Sequence, residues 1–168
     1  TGSLKEIRSG DKNTAIGAYA LLDLTSGNSN NVMGYEAAQN ITTGNYNVAY
    51  GNNALGLNTT GDDNVAVGFE ALKTEDEHGR NIAIGFQALK TLNAGADTYN
   101  IGVGYRAGTA ITTGNMNTLI GGLAGTALTD ADFNVAVGIN ALAGDTKGNK
   151  SVAIGDSALG SQNFTTST

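Results

Sequence analysis

Asn64-Val65-Ala66-Val67-Gly68-Phe69-Glu70-Ala71-Leu72 is one of nine edited copies of the same string. Its glycine recurs as Gly17, Gly34, Gly51, Gly68, Gly85, Gly104, Gly121, Gly138 and Gly155. Every gap is 17 residues except one of 19, between Gly85 and Gly104. An asparagine opens eight of the copies: Asn13, Asn30, Asn47, Asn64, Asn81, Asn100, Asn117 and Asn134; Ser151 opens the ninth. A fixed period of this kind marks a repeat architecture in which each unit stacks on the next.

The unit is too short for two packed helices and long enough for one coil of a β-solenoid. Val65-Ala66-Val67 alternates bulky and small residues, the two-residue period of a strand. Down the copies the bulky positions are mostly β-branched, as strands favour. Between copies, Thr25-Ser-Gly-Asn28, Thr42-Thr-Gly-Asn45, Thr59-Thr-Gly-Asp62 and Thr112-Thr-Gly-Asn115 are turn signals. The expected fold is therefore all-β: a parallel β-solenoid of about nine coils over residues 13–160. Residues 1–12 read as a leader, with a Thr1-Gly2-Ser3 start like a cloning remnant and with Leu4 and Ile7 either a cap on the core or the last turn of something upstream. Residues 161–168 read as a polar tail. Stacked at about 4.8 Å per coil, the repeats would make a rod of about 43 Å.

The small residues suggest two crowded surfaces. Ala15, Ala49, Ala66, Ala83, Ala136 and Ala153 occupy the middle of the strand, glycine follows two residues later in all nine copies, and alanine three residues after that. One crowded surface can be the coil's own interior; the other is assigned to a neighbouring chain. In this reading Val65 and Val67 form the coil core, and the six strand alanines are spacers for close packing between chains. The asparagine column is read as structural, each side chain capping turn backbone or the next asparagine amide.

Composition excludes several classes. There is no cysteine, so neither a disulfide scaffold nor a thiolate site exists. The balance of 15 Asp and Glu against 9 Lys and Arg leaves no basic stripe for a nucleic-acid backbone. No run of 18 apolar residues offers a membrane-spanning helix. The 25 glycines do not fall at every third position, so the chain is not collagen-like.

Ser151-Val-Ala-Ile-Gly155-Asp-Ser-Ala158-Leu159 resembles the head repeat of trimeric autotransporter adhesins of the YadA type. The longer form at residues 47–61 is similar to repeat arrays of bacteriophage tail fibres. The resemblance implies a homotrimer of left-handed parallel β-rolls about a three-fold axis. It further implies attachment or spacing at a bacterial cell or virion surface, with surface glycans, receptors or matrix proteins as partners. The period here is longer than in the YadA-type head, which enlarges the outer turn.

Candidate contacts lie in two places. Tyr35, Phe69, Phe86 and Tyr105 follow the glycine and form a column with Ile139; such a column packs coil on coil or stacks against a sugar. The irregular turns at 73–80 and 93–99, with Asp76, His78, Asp97 and Tyr99, break the pattern where a solenoid tolerates it and are the better candidates for recognition. His78 is the only histidine, and without cysteine it has no evident partners for a metal or for acid–base work. Gly102-Val-Gly104-Tyr-Arg-Ala-Gly108 has the look of a dinucleotide loop but sits inside the repeat, with no helix after it. No catalytic residue, metal site or cofactor is expected. The preferred function is a non-enzymatic trimeric fibre or adhesin head, either binding or spacing. The alternatives are an ice-binding β-solenoid, suggested by the paired threonines, and a polysaccharide-processing enzyme on the same fold.

Overall fold

A computed structural model describes residues 2, 9–164 and 166. The chain is a parallel β-solenoid of about eight full turns. Its strands are β1 (Thr14–Ile16), β2 (Asn31–Met33), β3 (Val48–Tyr50), β4 (Val65–Val67), β5 (Ile82–Ile84), β6 (Ile101–Val103), β7 (Thr118–Ile120), β8 (Val135–Val137) and β9 (Val152–Ile154). They form one parallel sheet in chain order. Val65 pairs with Ile82, and Ile82 with Ile101. The two extra residues before β6 therefore stay in the turn, and the sheet register passes through unchanged. The expected caps Leu4 and Ile7 lie outside the described residues.

The middle residue of each strand points inward. Ala49, Ala66, Ala83 and Ala136 are fully buried, and Ala153 nearly so, while Ala15 in the first coil is half-buried. This corrects the assignment of these alanines to packing between chains and of Val65 and Val67 to the coil core. The valines and their equivalents face outward: Ile16 and Ile154 in the end coils are 58% and 70% exposed, Tyr50 and Ile120 between them 40%, and Val65 and Val67 are half-buried. The physical reason is the narrowness of the coil. Its interior already holds Ala71 and Leu72, with their equivalents in other coils, so an inward strand residue has little room.

Volumes are traded accordingly. Where Leu119 replaces the inward alanine, the usual leucine on the far wall gives way to Gly125, and a methyl group there would strike both Leu119 methyls. Where Val32 replaces it, Ala38 takes the leucine position. The inward face at Gly102 is filled by Leu89. Such compensation is what a close-packed interior demands.

The repeated glycine has φ between 125° and 145°. A methyl group on Gly68 would collide with the carbonyl of Gly85 in the next coil, so both conformation and space exclude a side chain. Three further positions per coil are left-handed, and outside Gly108 and Gly125 none of them is glycine; in the fourth coil they are Asp63, Glu70 and Leu72.

The asparagines form a continuous buried ladder. The backbone N–H of Asn81 donates to Oδ1 of Asn64 at 3.1 Å, and that of Asn134 to Oδ1 of Asn117 at 3.0 Å. The side-chain amide of Asn30 donates to the Gly44 carbonyl at 2.8 Å, and that of Asn117 to the Ala131 carbonyl at the same distance. Asn13, Asn47 and Asn100 repeat the pattern. At the inserted turn Asn81 bonds the Gly79 carbonyl in its own coil, and the buried Thr98 hydroxyl donates to its Oδ1 at 2.6 Å. Ser151 ends the ladder by donating its N–H to Asn134.

Two outcomes follow for stability. Ala66→Phe should overpack the coil and cost about 1–3 kcal/mol or more, whereas Glu77→Ala in an exposed turn should stay within about 0.5 kcal/mol, as read by thermal and denaturant melts. Asn117→Ala strips the buried Asn134 N–H of its acceptor and should cost about 1–3 kcal/mol in the same melts.

Candidate functional site

Three surfaces carry the chemistry. The first is the outward face of the sheet, where two columns of side chains run the length of the stack. One holds Val48, Val65, Ile82, Ile101, Val135 and Val152; the other holds Ile16, Met33, Tyr50, Val67, Ile84, Val103, Ile120, Val137 and Ile154. Thr14, Asn31 and Thr118 interrupt the first column. The result is an apolar strip that the described residues leave uncovered.

The second is the aromatic column beside that strip. Phe69 stacks on Phe86 at 5.3 Å between centroids, and Phe86 on Tyr105 at 5.4 Å, each pair within 13° of parallel. Tyr35 is separated from them by Asn52 and meets Tyr19 edge-on at 5.9 Å. The stacked rings spend their faces on one another and offer solvent mainly their edges. The column widens the apolar strip along coils four to six, with one face of each end ring, Phe69 and Tyr105, left outside the stack.

The third is the corner formed by the irregular turns. Asp76, Glu77, His78, Asn93, Ala94 and Gly95 line an open cleft of about 290 Å³. Asp97 and Tyr99 are not on its lining. They gather instead around Arg80, a residue not singled out from the sequence. Arg80 forms an ion pair with Asp97, lies 5.7 Å from the Tyr99 ring centroid and donates to the Tyr99 hydroxyl at 3.3 Å. Asp97 also accepts from the Gly79 N–H at 3.1 Å, which ties the inserted turn to the one before it. Asp76 accepts from the Thr59 hydroxyl at 2.8 Å. No group of three or more His, Cys, Asp or Glu able to hold a metal occurs among the described residues.

The turn threonines are likewise engaged. Thr25, Thr42 and Thr129 donate their hydroxyls to the backbone carbonyls of Thr42, Thr59 and Thr146 in the next coil. These hydroxyls point along the stack, while the second threonines of the pairs, Thr43, Thr60 and Thr113, are exposed.

A set of buried polar residues was not read from the sequence. One inward column runs Leu24, Ile41, Asn58, Glu75, Leu92, Ile111, Leu128, Asp145, and all of it is buried. Asp145 resolves its burial by accepting from the backbone N–H groups of Gly148 and Phe164, each at 3.0 Å, and from Gln162. Burial raises its pKa, but these bonds outweigh that and hold it below the ordinary value. Glu75 has the same burial without the bonds. Neither of its carboxyl oxygens, and neither side-chain amide atom of Asn58, has a hydrogen-bond partner of ordinary geometry. Burial pushes Glu75 up to about 7; the His78 backbone amide opposes the rise and Asp76 adds to it. The signal was available as three polar residues, Asn58, Glu75 and Asp145, in an otherwise leucine and isoleucine column, visible only once that column is known to face inward.

Glu70, five residues earlier, is the opposite case. It accepts from Lys73 at 2.8 Å and from Gln87 at 2.9 Å, and pairs with Lys90 at 2.6 Å. Lys73 and Lys90 hold its carboxyl down at about 2.

Against this geometry, no family model, no curated protein and no solved structure matches the chain.

The two glutamates set opposed pH limits. Glu75 is ordinarily at 4.5, so as pH rises from 4.5 through about 7 the unfolded chain ionises first and stability falls. Glu70 contributes stability above 4.5 that is lost as pH falls toward about 2. Melting temperature against pH should therefore peak near 4.5, with Glu75→Gln flattening the alkaline limb and Glu70→Gln the acid one.

Proposed function

We propose that this chain is a non-enzymatic segment of a trimeric fibre or adhesin head, in which three solenoids pack through their outward sheet faces to make a stiff rod. The observation that carries the reading is the apolar strip. It is about 10 Å wide and runs the full stack, a scale at which uncovered apolar surface on a soluble chain marks an interface. Parallel sheets are ordinarily covered on both faces, and here the described residues cover only one. A narrow strip sandwiched between two copies leaves its flanks wet, whereas three copies close about an axis and also shelter the aromatic column.

The likeness of the repeats to YadA-type heads and tail-fibre arrays supports the same arrangement. It also supports an extracellular setting, on a bacterial or virion surface. Recognition of a surface glycan or protein then falls to the cleft at the corner of turns 74–80 and 91–97, which projects away from the repeat pattern without disturbing the sheet. Elsewhere the rod acts as a spacer.

Light scattering on the intact chain should give three times its 17.0 kDa mass. Val67→Asp with Ile84→Asp places like charges on adjacent outward rungs and should yield monomers that keep their β-sheet circular dichroism. A monomeric parent chain, or a trimer indifferent to the double substitution, would sink the reading. A glycan array and a panel of matrix proteins, probed with the parent and with Asp76→Ala/His78→Ala, test the corner separately.

A further inference from the structure

We propose that Asn58 and Glu75 pair inside the solenoid as an amide and a protonated carboxylic acid, and that loss of the shared proton opens the corner at residues 75–79. The two residues occupy the same inward column in consecutive coils. Successive coils at strand spacing bring such side chains to about 4.8 Å, within reach of a small rotation. The four buried side-chain atoms without a partner, among the described residues, are the two amide atoms of Asn58 and the two oxygens of Glu75. One cyclic contact satisfies all four: the Glu75 O–H donates to Asn58 Oδ1, and Asn58 Nδ2 donates to the Glu75 carbonyl oxygen. A carboxylate cannot complete it, because it has no proton to give Asn58.

The surroundings offer the ionised form no free counter-charge among the described residues: Lys73, two residues before Glu75, and Lys90, its equivalent in the next coil, are both committed to Glu70. On the same turn stand Asp76, Glu77, His78 and Arg80. The turn of the coil below brings Asp62 and Asp63, and the turn of the coil above brings Asp97. Arg80, the one fixed cation among them, is committed to Asp97, with Asp63 at 3.9 Å. The rungs that continue the column on either side of the pair are Ile41 and Leu92. Relief on deprotonation therefore comes from water, and the nearest route is the cleft lined by Asp76, Glu77 and His78. The raised pKa of Glu75 agrees with this arrangement. The inward polar pair thus makes one corner of an otherwise uniform rod responsive to pH near neutrality.

The test is NMR on the intact labelled chain across pH 4 to 9. The Glu75 Cδ resonance should titrate well above the ordinary glutamate range, and the Asn58 side-chain amide resonances should move with the same midpoint. Backbone amides of residues 76–79 should exchange about tenfold faster above that midpoint, after correction for intrinsic exchange, because the corner opens locally. Glu75→Gln should keep them slow at every pH, since an amide pair needs no proton uptake. If that variant fails to fold, Asn58→Leu/Glu75→Leu, which extends the flanking apolar column, should show the same slow and pH-independent exchange. An ordinary Glu75 midpoint, or Asn58 resonances that ignore it, overturns the pairing. Exchange in Glu75→Gln that tracks pH as in the parent overturns the opening.

Discussion

Each coil of this protein holds its shape because another coil lies directly against it. Taken alone, a coil is poor in the interactions that fix a fold. Its strand is three residues long, its inward side chains are mostly alanine and leucine, and three of its non-glycine residues adopt the left-handed region. That conformation costs roughly 1–2 kcal/mol per residue. What offsets it is repetition of the same backbone path one step along. The Leu72 N–H reaches the Ala88 carbonyl, the Glu70 N–H reaches Asn52, and the Gly85 N–H reaches Val67, so the strained turns are bonded on both sides. The bare glycine column is the geometric condition for this, since any side chain there would hold the coils apart.

The same constraint explains how irregularity is distributed. Nothing can be inserted into the strand, the glycine or the asparagine without breaking contacts to two neighbours. The corner after the last inward leucine is different. Two residues are added there before Tyr99, and the repair is local: Thr98 fills the asparagine contact and Asp97 ties to Gly79 and Arg80. Charge, extra length and an open cleft with several polar walls therefore coincide at a single corner.

Much of this was legible in the sequence. The period counted the strands, and the columns predicted their register and located the unusual corner. The direction of the side chains was not legible. Val-Ala-Val has the alternation of a half-buried strand, and the usual rule turns its bulky positions inward. In a coil this narrow the rule inverts: Ala66 fits inside, and Val65 and Val67 are left outside. Smallness and close approach were read correctly as crowding but placed on the wrong side of the sheet. Glu75 was hidden for a related reason. Beside Asp76, Glu77 and His78 it reads as one more charge in a solvated turn, although its side chain is enclosed.

The asparagine ladder has a direction. Each Oδ1 receives the N–H of the coil that follows, and in four of the eight steps its side-chain amide as well, so the amide dipoles add head to tail in two runs, Asn13 to Asn47 and Asn100 to Asn134. Hydrogen bonds in such a chain polarise one another. The two ends of the rod are consequently not equivalent electrically. At one end Asn13 starts the series, and at the other Ser151 takes the last bond and passes nothing on. Between the two runs, at Asn64, Asn81 and Asn100, the backbone N–H alone continues the series. The ladder is therefore least reinforced beside the irregular corner, where the coils have most room to yield.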